Sequence, residues 1–298
     1  MTREGELEIR PMHETDFGAV LDVTNTAFID EVETMYGQKH TEPFFADLMA
    51  PYRMAADPEG CHVALRDGKV VGANFSILRG TIGFFGPLAV RPDAQGGGIA
   101  QALIGEFIRS AEERGGRLLG LETFANSPMH IHLYQKLGFR PSWVGISYRR
   151  EAWQADLPPD VEIDGALPDL GYVYPGFDAT RDALATRATG AGITITCGDG
   201  FAVCHLKNTL WADPKLAYVP LIVARDRKTF DTLVQAIDAV AGPAGKTSVA
   251  TQVPGSAWPT QEALLEHGFR PGGASLRMKR GEQPNYDSGS LYYCDDWH

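Results

Sequence analysis

Hydrophobic positions along the first half of the chain switch repeatedly between two periods. Leu7 to Arg10 reads as a short strand, and Glu14-Thr15-Asp16 carries the capping and acidic residues of a helix start. Phe17, Val20, Leu21, Val23 and Phe28 then recur at near-helical spacing. Asp30 to Pro51 is mixed, acidic and aromatic, and predicts one or two short helices with loops. His62 to Leu65 and Val70 to Leu78, joined by Asp67-Gly68, predict a hairpin, because Asp-Gly between β-favouring runs suits a tight turn. Gly83 to Val90 reads as another strand. After a glycine-rich stretch, Ile99, Ala100, Leu103, Ile104, Phe107, Ile108 and Ala111 share one helical face, which Gly115-Gly116 ends. Leu118 to Leu121 is a strand, Met129 to Leu137 a short helix stopped by Gly138, and Phe139 begins a return strand. This order predicts an α/β (α+β) fold with a sheet of mixed direction.

The pattern then comes round again. Leu137-Gly138-Phe139-Arg140-Pro141 returns as His267-Gly268-Phe269-Arg270-Pro271, and Pro87-Leu88-Ala89-Val90-Arg91-Pro92-Asp93 returns as Pro220-Leu221-Ile222-Val223-Ala224-Arg225-Asp226. Two matches in one order, at similar separation, predict a tandem duplication. The expected division is a first domain over 1–150, a second over 151–282 and a tail over 283–298. Pro158-Pro159-Asp160 lies in the linker. The tail is polar and is expected to pack loosely or to dock across the molecule.

Charge narrows the partners. With 27 Lys and Arg against 38 Asp and Glu the formal net charge is −11, which argues against nucleic acid or an anionic membrane and leaves room for a cationic amine. Cys61, Cys197, Cys204 and Cys294 lie far apart without zinc-like spacing, so reduced structural thiols and no metal are expected. The N-terminus is too charged for a signal peptide and no apolar run could span a bilayer, which points to the cytoplasm.

The candidate chemistry centres on Gln95-Gly96-Gly97-Gly98-Ile99-Ala100, between a strand and a long amphipathic helix. Glycines let backbone amides approach a ligand without Cβ clash, and the helix N-terminus adds unpaired N–H groups. That is a phosphate cradle. No Lys-Ser/Thr follows, as a P-loop requires, and Gln101 stands where the dinucleotide fingerprint needs its third glycine. The stretch instead resembles the Q/R-x-x-G-x-G/A loop of the GNAT superfamily of N-acetyltransferases. Leu88-Ala89-Val90-Arg91-Pro92 resembles that family's preceding strand, and Leu133-Tyr134-Gln135-Lys136-Leu137-Gly138-Phe139 its late helix-to-strand junction.

The resemblance implies acetyl-CoA as cosubstrate. It assigns the backbone of Leu88, Ala89 and Val90 to the pantetheine amides, and the amides of Gln95, Gly96, Gly97, Gly98, Ile99, Ala100 and Gln101 to the pyrophosphate. Asn126 is expected to hydrogen-bond the pantetheine or position a helix. Tyr134 is expected to protonate the departing thiolate, and Glu122, at a strand end, to serve as base. His130 and His132 are weaker candidates, a covalent intermediate on Cys61 is disfavoured, and Asp30, Glu31 and Glu33 are weighed as attractors of a cationic acceptor.

In the second copy Lys228-Thr229-Phe230-Asp231-Thr232-Leu233 stands against the glycine loop, with Asp231 at the Gly98 position. Leu264 replaces Tyr134 and Gln252 replaces Glu122. Phe230, Leu233, Val234, Ile237 and Val240 keep helical spacing. Two tandem GNAT-like folds are therefore expected, the second catalytically silent, stabilising the first and walling its acceptor pocket. The expected activity is acetyl transfer to the primary amine of a small molecule, by direct attack in a ternary complex. Alternatives are a coenzyme-A-binding sensor or scaffold, or another acyl donor or acceptor on the same fold. The expected assembly is a monomer with an internal pseudo-dimer, or a weak homodimer.

Overall fold

The computed structural model describes residues 6–37, 39–283 and 291–297. The first half runs β1 (Leu7–Pro11), α1 (Phe17–Tyr36), α2 (Met49–Ala56), β2 (His62–Arg66), β3 (Lys69–Arg79), β4 (Ile82–Val90), α3 (Ile99–Glu113), β5 (Leu118–Thr123), α4 (Pro128–Lys136) and β6 (Arg140–Glu151). The second runs β7 (Glu162–Ile163), α5 (Thr180–Ala188), β8 (Gly192–Cys197), β9 (Gly200–His205), β10 (Leu216–Ala224), α6 (Arg227–Ala241), β11 (Ser248–Pro254), α7 (Trp258–Glu266) and β12 (Arg270–Gly281), with β13 (Tyr292–Asp295) after it. The hairpin turn has left-handed backbone at both Asp67 (φ 52°) and Gly68 (φ 73°), the conformation a two-residue turn needs. One expectation changes: α1 continues through Asp30, Glu31 and Glu33 until Gly37, at φ 66°, ends it.

Among the described residues all thirteen strands belong to one mixed sheet, in the order β1-β2-β3-β4-β5-β12-β6-β11-β10-β9-β8-β7, with β13 beside β10. The final strand of each half has crossed to the other. β12 pairs with β5, Leu276 opposite Thr123 through Gly281 opposite Leu118. β6 pairs with β11, Ser248 opposite Glu151 through Pro254 opposite Gly145. β6 and β12 meet at the centre, where Gly145 faces its own repeat counterpart, Ser275. Around this point the molecule has a pseudo-twofold axis. The strand order thus runs across the expected boundary near residue 150, with β12 between β5 and β6 and β6 between β12 and β11. Arg150 shows where β6 belongs, since its guanidinium donates to Asp238 of α6 at 2.9 and 2.5 Å and lies over the Phe269 ring.

Helices cover both faces. α3 and α4 bury Ile104, Phe107 and Tyr134 against Phe85, Leu119 and Leu121, while α1 and α2 cover Val63, Ala73 and Phe75 on the other face. Each such large apolar side chain contributes about 1.5–3 kcal/mol on burial. The halves join through a shared core that includes Ile77, Phe84, Leu221, Val223, Tyr293 and Trp297. Among the described residues no helix is long and apolar enough to cross a membrane, and no group of three or more His, Cys, Asp or Glu is placed to hold a metal.

Candidate active site

A bulge sets the geometry of the site. Between the pairs Asn74–Leu88 and Ser76–Phe85, two residues of β4, Gly86 and Pro87, oppose the single Phe75 of β3. A bulge bends its strand. β4 accordingly pairs with β5 only from Ile82–Leu118 to Phe85–Leu121 and then diverges. Leu88, Ala89 and Val90 keep β3 on one side and present an open strand edge on the other. Buried strand edges need hydrogen-bond partners, so this edge suits an extended ligand with amides of its own.

The cleft leads to the glycine loop. Arg91 N donates to Val71 O at 2.9 Å, Pro92–Ala94 makes a short 3-10 turn, and Gln95 Nε2 reaches back to Val90 O at 3.3 Å. Gly96 and Gly98 both need left-handed backbone, at φ 83° and 75°. Gly98 caps α3 without any side-chain hydrogen bond, and the first amide answered there is Ala102 N, to Gly98 O at 3.0 Å. The amides of 96–101 donate to no other backbone group among the described residues. Ile99, fully buried, anchors the loop to the core.

Sequence reasoning missed Arg66, the last residue of β2. A Cβ at Gly97 would stand 2.8 Å from its Nη2, so the guanidinium lies directly on the loop. Its Nε is buried without a partner among the described residues. A cation so placed, above bare amides at a helix N-terminus, fits a phosphate group. The only local signal was its position beside the Asp67-Gly68 turn, which gives no hint of what it faces.

At the inner end of the cleft Tyr134 is buried against Phe85, ring centroids 5.9 Å apart. Burial raises its pKa well above the usual phenol value, although a hydrogen bond to the Thr123 side chain opposes the shift. The hydroxyl therefore keeps its proton and acts as a donor. His130 lies 6.3 Å from Tyr134 ring to ring, and its Nδ1 is 3.8 Å from Glu31 Oε1. Ser127 Oγ donates to the same carboxylate at 3.4 Å. Of the acidic trio on α1 only Glu31 enters this cluster; Asp30 is exposed and Glu33 accepts from His40 N at 3.1 Å. Asn126 is exposed in the turn before α4, and His132 is exposed on that helix.

Glu122, expected as base, is engaged elsewhere. Its side chain and that of Arg277 are both wholly inaccessible and form an ion pair at 2.6 Å. Gln252 Nε2 donates to the same carboxylate at 2.6 Å and Ser275 Oγ also donates to it. A carboxylate held by three donors at the centre of the sheet has no lone pair facing the cleft. Its place on β5 explains this: Leu121 and Thr123 point toward Tyr134, so Glu122 points the other way.

The second copy repeats the bulge but not the cradle. Val219 and Pro220 oppose Cys204, and β10 then leaves β11 as β4 leaves β5. The N-terminus of α6, however, is capped internally by Asp226, which accepts from Thr229 N at 2.9 Å. The sequence match set Asp231 against Gly98, but the N-cap counterpart of Gly98 is Asp226; Asp231 lies inside α6, paired with Arg227 at 2.6 Å and His267 at 2.7 Å.

Comparison with known proteins agrees with this geometry. The model of the Acetyltransferase (GNAT) family matches residues 25–139, within the first copy. The chain is similar to a mycothiol acetyltransferase of Streptomyces avermitilis, 34% identical over 98 residues; the match spans 32% of this chain and 32% of that protein. A putative acetyltransferase of Pyrococcus horikoshii shares the fold with TM-score 0.69 and 15% identity, covering 98% of this chain and 95% of that one. A tandem GNAT protein from the clavulanic acid biosynthesis pathway does so with TM-score 0.57 and 16% identity, covering 94% and 100%. With the motif residues, the bulged strand and the duplicated fold in agreement, residues 25–139 match the GNAT acetyltransferase family, and the chain as a whole shares its fold with a tandem GNAT protein.

Proposed function

We propose that the first copy transfers an acetyl group from acetyl-CoA to the primary amine of a small molecule. The reading is supported by one strand that links three features: the bare amides of 96–101 beyond its end, the edge Leu88–Val90 that β5 does not pair, and Tyr134 packed on its Phe85. Pyrophosphate would rest on the loop amides with Arg66 above them, and the pantetheine amides would pair with β4. The acetyl thioester supplies the activated carbonyl. The amine nitrogen attacks that carbon, the C–S bond breaks, and the Tyr134 hydroxyl gives its proton to the departing thiolate. The amine's own proton passes to the Glu31–His130 pair, which replaces Glu122 as the base.

The test is a panel of primary amines with purified protein and acetyl-CoA, following free-thiol release and product mass. Amine-dependent thiol release with a product heavier by one acetyl group supports the reading. Tight coenzyme A binding with no thiol release for any amine would make the protein a sensor instead.

A further inference from the structure

The two copies share a divergent cleft, and in the second it is filled by protein. Past the bulge at Val219–Pro220, the β10 edge corresponding to Leu88–Val90 pairs antiparallel with β13: Leu221 opposite Asp295, Ile222 opposite Cys294, Val223 opposite Tyr293 and Ala224 opposite Tyr292. Asp296 N adds a bond to Pro220 O at 3.0 Å, at the bulge itself. On the far side Tyr293 N donates to Thr260 Oγ1 of α7 at 2.8 Å. The tail thus lies in the gap between β10 and the β11–α7 side. We propose that this second cleft is a peptide-binding site of the strand-addition kind, whose ligand is the chain's own C-terminal segment, lying where pantetheine lies in the first copy. The comparison with pantetheine rests on the reading above; the pairing does not.

The chemistry of the exchange is direct. Leu221 to Ala224 are all buried, so their edge N–H and C=O groups need partners once no cofactor occupies the gap. Both pantetheine and a peptide are extended chains carrying amides, and either can answer a strand edge. Side chains then select the peptide. Asp295 accepts from Arg79 Nη1 at 2.8 Å, and its backbone carbonyl accepts from Arg277. Asp296 accepts from Tyr218 OH at 2.6 Å. Trp297 is buried, nearly parallel to Phe84 at 6.2 Å, with the Arg277 guanidinium 4.8 Å from its ring. It lies against Gly120, where any Cβ would overlap the indole. Phe84 and Gly120 are register partners one step before β4 and β5 part. The tail therefore fills the second cleft and ends against the base of the first. The site takes an extended segment with small or aromatic side chains followed by two carboxylates and an indole.

Thiol labelling of the intact native chain tests this. Cys294 of β13 and Cys204 of β9 are both fully buried, with thiols pushed up to about 12 by burial, so their labelling reports exposure by opening. A ligand-like tail opens without the rest of the half, so Cys294 should react at least about tenfold faster than Cys204. Asp295→Asn should speed Cys294 further and leave Cys204 unchanged. Equal rates for the two cysteines would show the tail to be an inseparable part of the core and overturn the proposal; if the variant fails to fold, the native comparison alone decides. Protection of Cys294 that grows with protein concentration, alongside a doubled mass, would assign the strand to a second copy and overturn the intramolecular site. None of these readouts needs acetyl transfer, so an inactive amine panel would leave them standing.

Discussion

Glu122 and Gln252 hold equivalent positions in the two copies and touch across the centre of the molecule, Gln252 Nε2 donating to Glu122 Oε2 at 2.6 Å. Identical copies would have placed carboxylate against carboxylate here, in a site sealed from water, with Arg277 as the cation paired to Glu122. Gln252→Glu restores that clash. Two carboxylates this close cannot both ionise, so one is held protonated and its pKa rises above the unfolded value. The folded variant then binds more protons than the unfolded chain, and its stability improves as pH falls. Urea unfolding should show a loss of about 3–5 kcal/mol at pH 7, partly recovered at pH 5.

Tyr134→Phe should lower kcat by about 100-fold or more while leaving acetyl-CoA binding intact, since the proton is needed only as the thiolate departs. Burial raises the Tyr134 pKa, so the native state retains the proton above the ordinary phenol value. No alkaline fall in kcat below about pH 10 should belong to this residue. Steady-state pH profiles of native and variant protein check both points.

Cofactor binding should be confined to the first copy, at one acetyl-CoA per chain by titration calorimetry. Gly98→Asp puts a carboxylate against the phosphates and a side chain on left-handed backbone, and should abolish binding. Arg66→Met should weaken it by about 10–100-fold, the loss of one charge-assisted hydrogen bond. Unchanged affinity would remove Arg66 from the phosphate site.

His205 should make the fold acid-sensitive. Its Nδ1 is 2.6 Å from Thr209 Oγ1, and its buried Nε2 has no partner among the described residues, beside a cavity of about 20 Å³ that also touches Tyr52 and Asp296. Burial pushes its pKa down to about 3. Between about 6.5 and 3 the unfolded chain binds a proton that the native state refuses, so stability falls with pH over that window by at most about 1.4 kcal/mol per unit. His205→Gln should shrink the drop in urea midpoint between pH 7 and pH 5.

The first half was largely legible in the sequence because its signals are local. The Asp67-Gly68 turn, the Ile99 to Ala111 face and the glycine loop each depend on neighbours within a few residues. Matching the GFRP and Pro87/Pro220 segments also pointed to the duplication, while the bulge in each copy appears only in the strand register. What stayed hidden depends on contacts between distant residues. Arg66 meets Gly97 only after the sheet has formed, and Glu122 meets Arg277 across 155 positions. Nothing in a strand-end glutamate says which face it will take. The tail reads as polar from its charges, yet of the two expectations residues 291–297 follow the docked one, with Asp295 and Asp296 buried by Arg79 and Tyr218.

A chain ending at Arg150 should not yield a stable active fragment. β5 would lose its partner β12, and β6 would have no β11 to join. Such a fragment is expected to aggregate, and gel filtration with far-ultraviolet circular dichroism checks this. A monodisperse, folded fragment would mean that β6 can turn back beside β5.

The crossed strands also set a timetable for synthesis. A chain emerging from the ribosome at about 5–20 residues per second exposes β5 long before its neighbour β12 exists, so the first half waits many seconds with one sheet edge unanswered. Contacts so far apart in the chain slow folding in their own right. The waiting edge meanwhile stays open to any extended strand that reaches it first. A stall in translation beyond residue 150 would prolong that exposure, and two nascent chains on one message could exchange strands with each other.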